Sequence, residues 1–251
     1  MLELKHISSG YDHRNTIFDI SLRFETGKTY TIVGKNGCGK STLLKTCAGL
    51  LEADTGGILL DGREFNMYTP TERACLISYL SQSRKAPAIS VERLVEHGRY
   101  PRLASPRKLN GHDHNIVEAS LQRMQVSHLR KKKLNELSGG EQQRVYVAML
   151  LAQDTPVLLL DEPTTYMDVE HQLAFLDLLQ GLKQEGKCII MVLHDLSHAM
   201  KNSDTIIAME NGRVVHASSP EAMLSQGTLE KIFQVKIEAV GNPVQGYILK
   251  R

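Results

Sequence analysis

Cysteine is sparse in this chain of 251 residues: Cys38, Cys47, Cys75 and Cys188 are spread along it, with no C-x-x-C pair and no signal-like segment ahead of them. No disulfide framework is implied, and a reducing, cytoplasmic setting fits this usage. Long apolar runs are also missing. VLLL at 157–160 and CIIMVL at 188–193 fall far short of the ~20 residues a membrane-spanning helix requires, so membrane work would need another subunit to do the spanning. An excess of one charge sign is absent too, since 30 Lys and Arg meet 28 Asp and Glu for a net +2. That balance is too mild to mark a nucleic-acid binder by bulk electrostatics. Neither an internal repeat nor a low-complexity tract is visible. What remains is an ordinary globular composition, 41% apolar and 23% charged, in a chain long enough for one domain or one domain with an inserted lobe. Function must therefore reside in a specific site.

Short apolar, β-branched runs alternate with helical patterns, as in a parallel sheet covered by helices. The runs TYTIV (29–33), LISYL (76–80), VLLLD (157–161), CIIMVL (188–193) and TIIAM (205–209) predict its strands. LELKHIS, ISLRF and GGILLDG (56–62) predict an antiparallel flank. Between residues 84 and 153 the strand signal disappears, and helices are predicted over 90–98, 113–125 and 139–152, with Pro101 and Pro106 bracketing a loop that Gly111 closes.

Gly34, Gly39, Lys40 and Ser41 match G-x-x-x-x-G-K-[ST] between a strand and a helix. The spacing predicts backbone N–H groups curled around phosphate oxygens, Lys40 charging the β and γ phosphates, and Ser41 ligating Mg²⁺. VLLLDEP at 157–163 ends a strand in two acids, which gives Asp161 to the Mg²⁺ shell and Glu162 to the attacking water. CIIMVL delivers His194 and Asp195 to the same sheet edge. A second glycine-rich stretch, LSGGEQQR at 137–144, opens a helix whose Val145, Ala148, Met149 and Ala152 share a face. Ser138 suits an N-cap, but a cap gives no reason for Gly139 and Gly140; an anion site at the helix start does.

Together these motifs resemble the nucleotide-binding subunit of ATP-binding-cassette transporters over nearly the whole chain. LSGGEQQR resembles the signature motif, Gln82 the Q-loop, DEPTTYMD (161–168) the Walker B and D-loop, His194 the switch histidine, and Tyr11 the aromatic that stacks on adenine. The resemblance implies an α/β P-loop NTPase fold, with a RecA-like core (1–83 and 154–218), an antiparallel β flank, a helical signature subdomain (84–153) and a C-terminal extension (219–251). It implies ATP bound by Tyr11, by Gly34, Lys35, Asn36, Gly37, Cys38, Gly39, Lys40, Ser41 and Thr42, and by Ser138, Gly139, Gly140 and Asp168. Mg²⁺ falls to Ser41, Gln82 and Asp161, and catalysis to Glu162, His194 and Gln82. Implied partners are a second copy paired head to tail, a permease and, indirectly, a substrate-binding protein, with no nucleic acid. The implied location is peripheral, on the cytoplasmic face of the membrane. VEHGRYPR (95–102) and TLEKIFQVKIEAV resemble importers of ferric siderophores, with haem and cobalamin importers close behind. Rival readings are a soluble cassette ATPase acting on DNA or the ribosome, and a small-molecule kinase.

Other features have plainer readings. Arg130–Lys133 predicts a solvated face, GHDH (111–114) a loop without a third metal ligand, and Cys47, Cys75 and Cys188 small core residues. Cys38 lies inside the P-loop, where a reactive thiol would make activity oxidation-sensitive. Tyr166 and Met167 replace the small or polar residue and Leu usual in the D-loop.

Overall fold

The computed structural model describes residues 1–12, 14–82, 86–103, 108–241 and 244–250. Pro106 and most of the loop predicted around it lie outside the described residues.

In chain order the elements are β1 (Leu2–Tyr11), β2 (Arg14–Phe24), β3 (Thr29–Val33), α1 (Lys40–Cys47), β4 (Thr55–Leu60), β5 (Arg63–Glu64), α2 (Pro70–Leu76), β6 (Ile77–Leu80), α3 (Val91–His97), α4 (Gly111–Arg123) and α5 (Gly139–Gln153). They continue with β7 (Val157–Asp161), α6 (Val169–Gln184), β8 (Cys188–Val192), α7 (Leu196–Asn202), β9 (Thr205–Glu210), β10 (Arg213–Ser218), α8 (Pro220–Ser225), α9 (Thr228–Phe233), β11 (Lys236–Val240) and β12 (Gly246–Lys250).

The central sheet has the order β10-β9-β3-β8-β7-β6, parallel except for β10 at its edge. Its strands β3, β7 and β8 are buried at every position, as expected of a parallel sheet covered on both faces. Alternation divides them between two cores. Val33, Leu158, Leu160, Ile189 and Met191 pack with α5, α6 and α7, whereas Ile32, Val157, Leu159, Ile190 and Val192 pack with α1 and the antiparallel sheet. That second sheet has the order β2-β1-β4-β5, the predicted flank.

Among the described residues of 84–153 there is no named strand, only an isolated bridge between Ser90 and Lys133. The predicted strand at 76–80 loses Leu76 to α2, a helix the apolar pattern concealed. Its start is nonetheless written in the sequence: Thr69 and Glu72 form a reciprocal capping box and Pro70 occupies the first turn. At the far end of α5, Gln153 donates to the carbonyls of Ala74, at 2.6 Å, and Ile77, at 3.3 Å.

GHDH is not a loop. It opens α4, where Asn110 and Asp113 cap each other. Asp113 also accepts from Arg99 Nε at 2.9 Å, and Arg99 Nη1 donates to the carbonyl of Ala152 at 2.9 Å. Both charged side chains are almost fully buried, at 5% and 4% exposure. Gly98 beside them is forced by close approach, because a Cβ there would lie 2.3 Å from Met149 O. The VEHGRYPR stretch is thus the joint that holds α3 and α4 to the end of α5. Of the Arg130–Lys133 run, Arg130 binds Glu118 and Glu92 within the chain, while Lys131, Lys132 and Lys133 are exposed.

Removing one member of a buried, paired charge strands the other, at a cost of about 3–5 kcal/mol. Arg99→Met should lower the urea midpoint accordingly, and Arg99→Met combined with Asp113→Leu should recover much of the loss. Equal losses in the single and double variants would show that the pair is not the source.

Candidate active site

Four strands of the central sheet end at one edge, and each delivers a functional group there. After β3 the chain enters the P-loop. Gly34 has no room for a side chain, since a Cβ would meet Met209 O at 2.4 Å and Cys38 Sγ at 2.6 Å. Gly39, at φ 102°, caps α1 without offering it a side chain, which leaves the helix's first N–H groups open. The Lys40 ammonium, buried with its side chain, donates to the carbonyls of Gly34 at 2.7 Å and Lys35 at 3.1 Å.

Asp161 closes β7. Its carboxylate accepts from Ser41 Oγ at 3.0 Å and Tyr79 OH at 3.3 Å. Burial above all, with the adjacent Glu162 charge, pushes its pKa upward, and the Ser41 and Tyr79 hydroxyls offset only part of this. Glu162 follows with φ 51°, a backbone region uncommon outside glycine. One of its oxygens accepts from Gln82 Nε2 at 2.7 Å, beyond β6, and the other from His194 Nε2 at 2.5 Å, beyond β8. The carboxylate is held from both sides.

A cavity of about 320 Å³ lies over this edge, lined by Thr16, Asn36, Gly37, Gly39, Lys40, Ser41, Thr42, Gln82, Glu162 and His194. Thr16 comes from β2, and no local pattern in the sequence marks it. Tyr79 was likewise invisible as a partner of Asp161, since it reads only as a strand aromatic. Tyr11 stands half-exposed at the end of β1, outside this lining, with Lys45 of α1 donating to its hydroxyl at 3.1 Å.

Ser138, Gly139, Gly140 and Asp168 do not line the cavity. Ser138 caps α5 in a reciprocal box with Glu141, its hydroxyl 2.7 Å from Glu141 Oε2, and it is exposed along with Gly139. Gly140 has a reason within the chain: a Cβ would come to 3.0 Å from Tyr166 O. Asp168 caps α6, and the backbone N–H and ring of His171 hold its carboxyl below the usual range. Arg144 of α5 donates to His171 on the ring's other nitrogen. Gln143 adds a 2.5 Å bond to the Pro163 carbonyl, so the signature helix and the 163–168 segment are tied together. Within that segment Met167 is buried where Leu is usual, and Tyr166 points outward at 74% exposure.

The expectation of a reactive Cys38 needs correction. The thiol is buried against Gly34, and burial raises its pKa despite the Lys40 charge. Less thiolate and less access make it an inert packing group. Cys47 and Cys188 are fully enclosed and both pushed up to about 12.

A P-loop opposite a buried aspartate and a doubly held glutamate defines an ATPase of the P-loop NTPase fold. The family model for the ABC transporter matches residues 17–165, and the chain belongs to the ABC transporter family. It is 36% identical over 244 residues to the iron(3+)-hydroxamate import ATP-binding protein of Bacillus subtilis (strain 168), covering 96% of this chain and 91% of that protein. It is also 36% identical over 234 residues to the hemin import ATP-binding protein of Nocardia farcinica (strain IFM 10152), covering 93% and 81%. A dimeric bacterial ABC transporter cassette of known structure is 25% identical, with a TM-score of 0.80 over 88% of this chain and 99% of that one.

Because Asp161 ionises less readily in the folded chain than in the unfolded one, its charge costs stability at neutral pH, and the cost fades as pH falls through its raised pKa. Asp161→Asn should therefore raise the melting temperature of the nucleotide-free protein near pH 7.5, with the gain vanishing in acid. A lower melting temperature at pH 7.5 would show that the carboxylate is a net stabiliser.

Proposed function

We propose that this chain hydrolyses MgATP to drive a membrane permease that imports a ferric siderophore or a similar iron chelate. The observation that carries the hydrolytic part is the double hold on Glu162 by Gln82 and His194 at the mouth of the P-loop cavity. The cargo follows the ferric-hydroxamate relative. A haem cargo is the second reading, favoured by the hemin-import relative.

In this reading the P-loop from Gly34 to Thr42, Lys35 included, wraps the phosphates, and Tyr11 stacks on adenine. Ser41 and Asp161 are hard oxygen donors 3.0 Å apart, a pair suited to Mg²⁺. Among the described residues no group of three or more His, Cys, Asp or Glu could hold a metal, in keeping with an ion that takes most of its shell from phosphates and water. Bound there, Mg²⁺ would neutralise charge developing on the β and γ phosphates. Glu162 takes the proton of the attacking water, His194 and Gln82 fix the direction of its carboxylate, and Gln82 would also help to hold the metal. Ser138, Gly139, Gly140 and Asp168 are assigned to the nucleotide held by the P-loop of a second copy paired head to tail, which fits their position away from the cavity in their own chain. The pair sits peripherally on the cytoplasmic face of the membrane, below a permease that a substrate-binding protein loads from the other side. No helix among the described residues is long and apolar enough to cross a membrane. Copurification with a polytopic permease from native membranes tests the transport reading; a purely soluble pool, or association with ribosomes or DNA, would overturn it.

Glu162→Gln should retain ATP binding and lose about 10²-fold or more in hydrolysis, the usual worth of a positioned general base. Near-wild-type turnover would take the base role from Glu162.

The trans assignment has its own test in mixed dimers of one Lys40→Ala chain and one Ser138→Arg chain. Ser138 is exposed, so arginine meets no steric barrier there, and its cost to the fold is the α5 cap, about 0.5–2 kcal/mol. A trans signature rebuilds one whole site per mixed dimer, and nucleotide trapping should exceed that of both variant homodimers. Trapping no greater than theirs, in confirmed heterodimers, would leave the signature acting in cis.

A further inference from the structure

The C-terminal hairpin of β11 and β12 rests on α7, the helix that begins two residues after His194. Tyr247 and Ile237 of the hairpin are buried in one core with Leu196, Ala199 and Met200 of α7. Ser197, in the first turn of α7, donates its hydroxyl to the Tyr247 carbonyl at 2.7 Å. The same turn is capped by Asp195, which accepts from the His198 N–H at 2.9 Å. Between the hairpin, α6 and α7 lies a cavity of about 390 Å³, lined in part by Leu173, Asp177, Ser197 and Ile248. The hairpin's polar anchors are Ser197 of α7, on β12, and Glu230 of α9, which accepts from the Ile237 N–H of β11 at 3.0 Å.

We propose that Ser197 is a positioning residue for ATP hydrolysis: through its bond to Tyr247, the C-terminal hairpin fixes the start of α7 and so the height at which His194 meets Glu162. The inference rests on the hydrolytic reading of Glu162 and His194. Its physical basis is short range. His194 and Ser197 are three residues apart, with only the cap Asp195 and the buried Leu196 between them, so a shift of the first turn is passed to the imidazole. The His194–Glu162 contact, at 2.5 Å, has no slack to absorb such a shift.

The test compares wild type, Ser197→Ala and Ser197→Thr as full-length protein, by steady-state ATPase assay and by the ¹H–¹³C ring signals of His194. Ser197→Ala should lower kcat about fivefold, the scale of one lost hydrogen bond, with KM for ATP and melting temperature little changed and the His194 signals displaced. Ser197→Thr keeps the hydroxyl and should restore both rate and signals. Unchanged kcat and unchanged His194 signals in a folded Ser197→Ala protein would overturn the proposal. So would a loss confined to melting temperature, or a loss that threonine does not rescue. Absence of ATPase activity in the wild type would instead refute the hydrolytic reading, which keeps the two failures distinct.

Discussion

The constraint on which the rest depends is the burial of the central sheet on both faces. With every position of β3, β7 and β8 enclosed, the strands leave no room for a ligand along their length, and the charged groups gather where they end. The P-loop, Gln82, Asp161, Glu162 and His194 all follow the carboxyl ends of parallel strands, which register against one another at that edge. Side chains as far as 120 positions apart in sequence, Ser41 and Asp161, thus reach each other through the backbone ladder. The closeness of His194 to Glu162, like that of Ser41 to Asp161, is a property of strand order before it is a property of the side chains.

Much of this could be read from residues alone because the motifs are local. A glycine that must admit a carbonyl at 2.4 Å, as at position 34, and an acid that ends an apolar strand both leave marks within a few residues. What escaped reading is non-local. Thr16 reaches the cavity from the other sheet, Tyr79 meets Asp161 across β6 and β7, and Ser197 meets a hairpin 50 residues away. Nothing near these residues signals the partner. Helix α2 is a different case, since its Thr69, Pro70 and Glu72 cap was present in the sequence but shaded by the apolar run that follows.

Three unusual features become ordinary once packing is known. Cys38 in the phosphate loop turns inward, where burial suppresses its reactivity. The histidine-rich start of α4 is a capping box whose aspartate neutralises a buried arginine. Met167 fills the core position of the D-loop while Tyr166 takes the exposed one. In each case the residue type suggested chemistry and its surroundings supply a structural task.

Helix α5 can be regarded as a machine part. Its 15 residues make a strut roughly 22 Å long. One end is bonded through Gln143 to the carbonyl beside Glu162, and the other through Gln153 to the backbone that leads into β6 and Gln82. A close-packed rod of this kind neither stretches nor compresses appreciably. Tilting it would therefore move both anchorages at once, like a rocker arm, so that the backbone beside Glu162 and the backbone leading to Gln82 share one mechanical link.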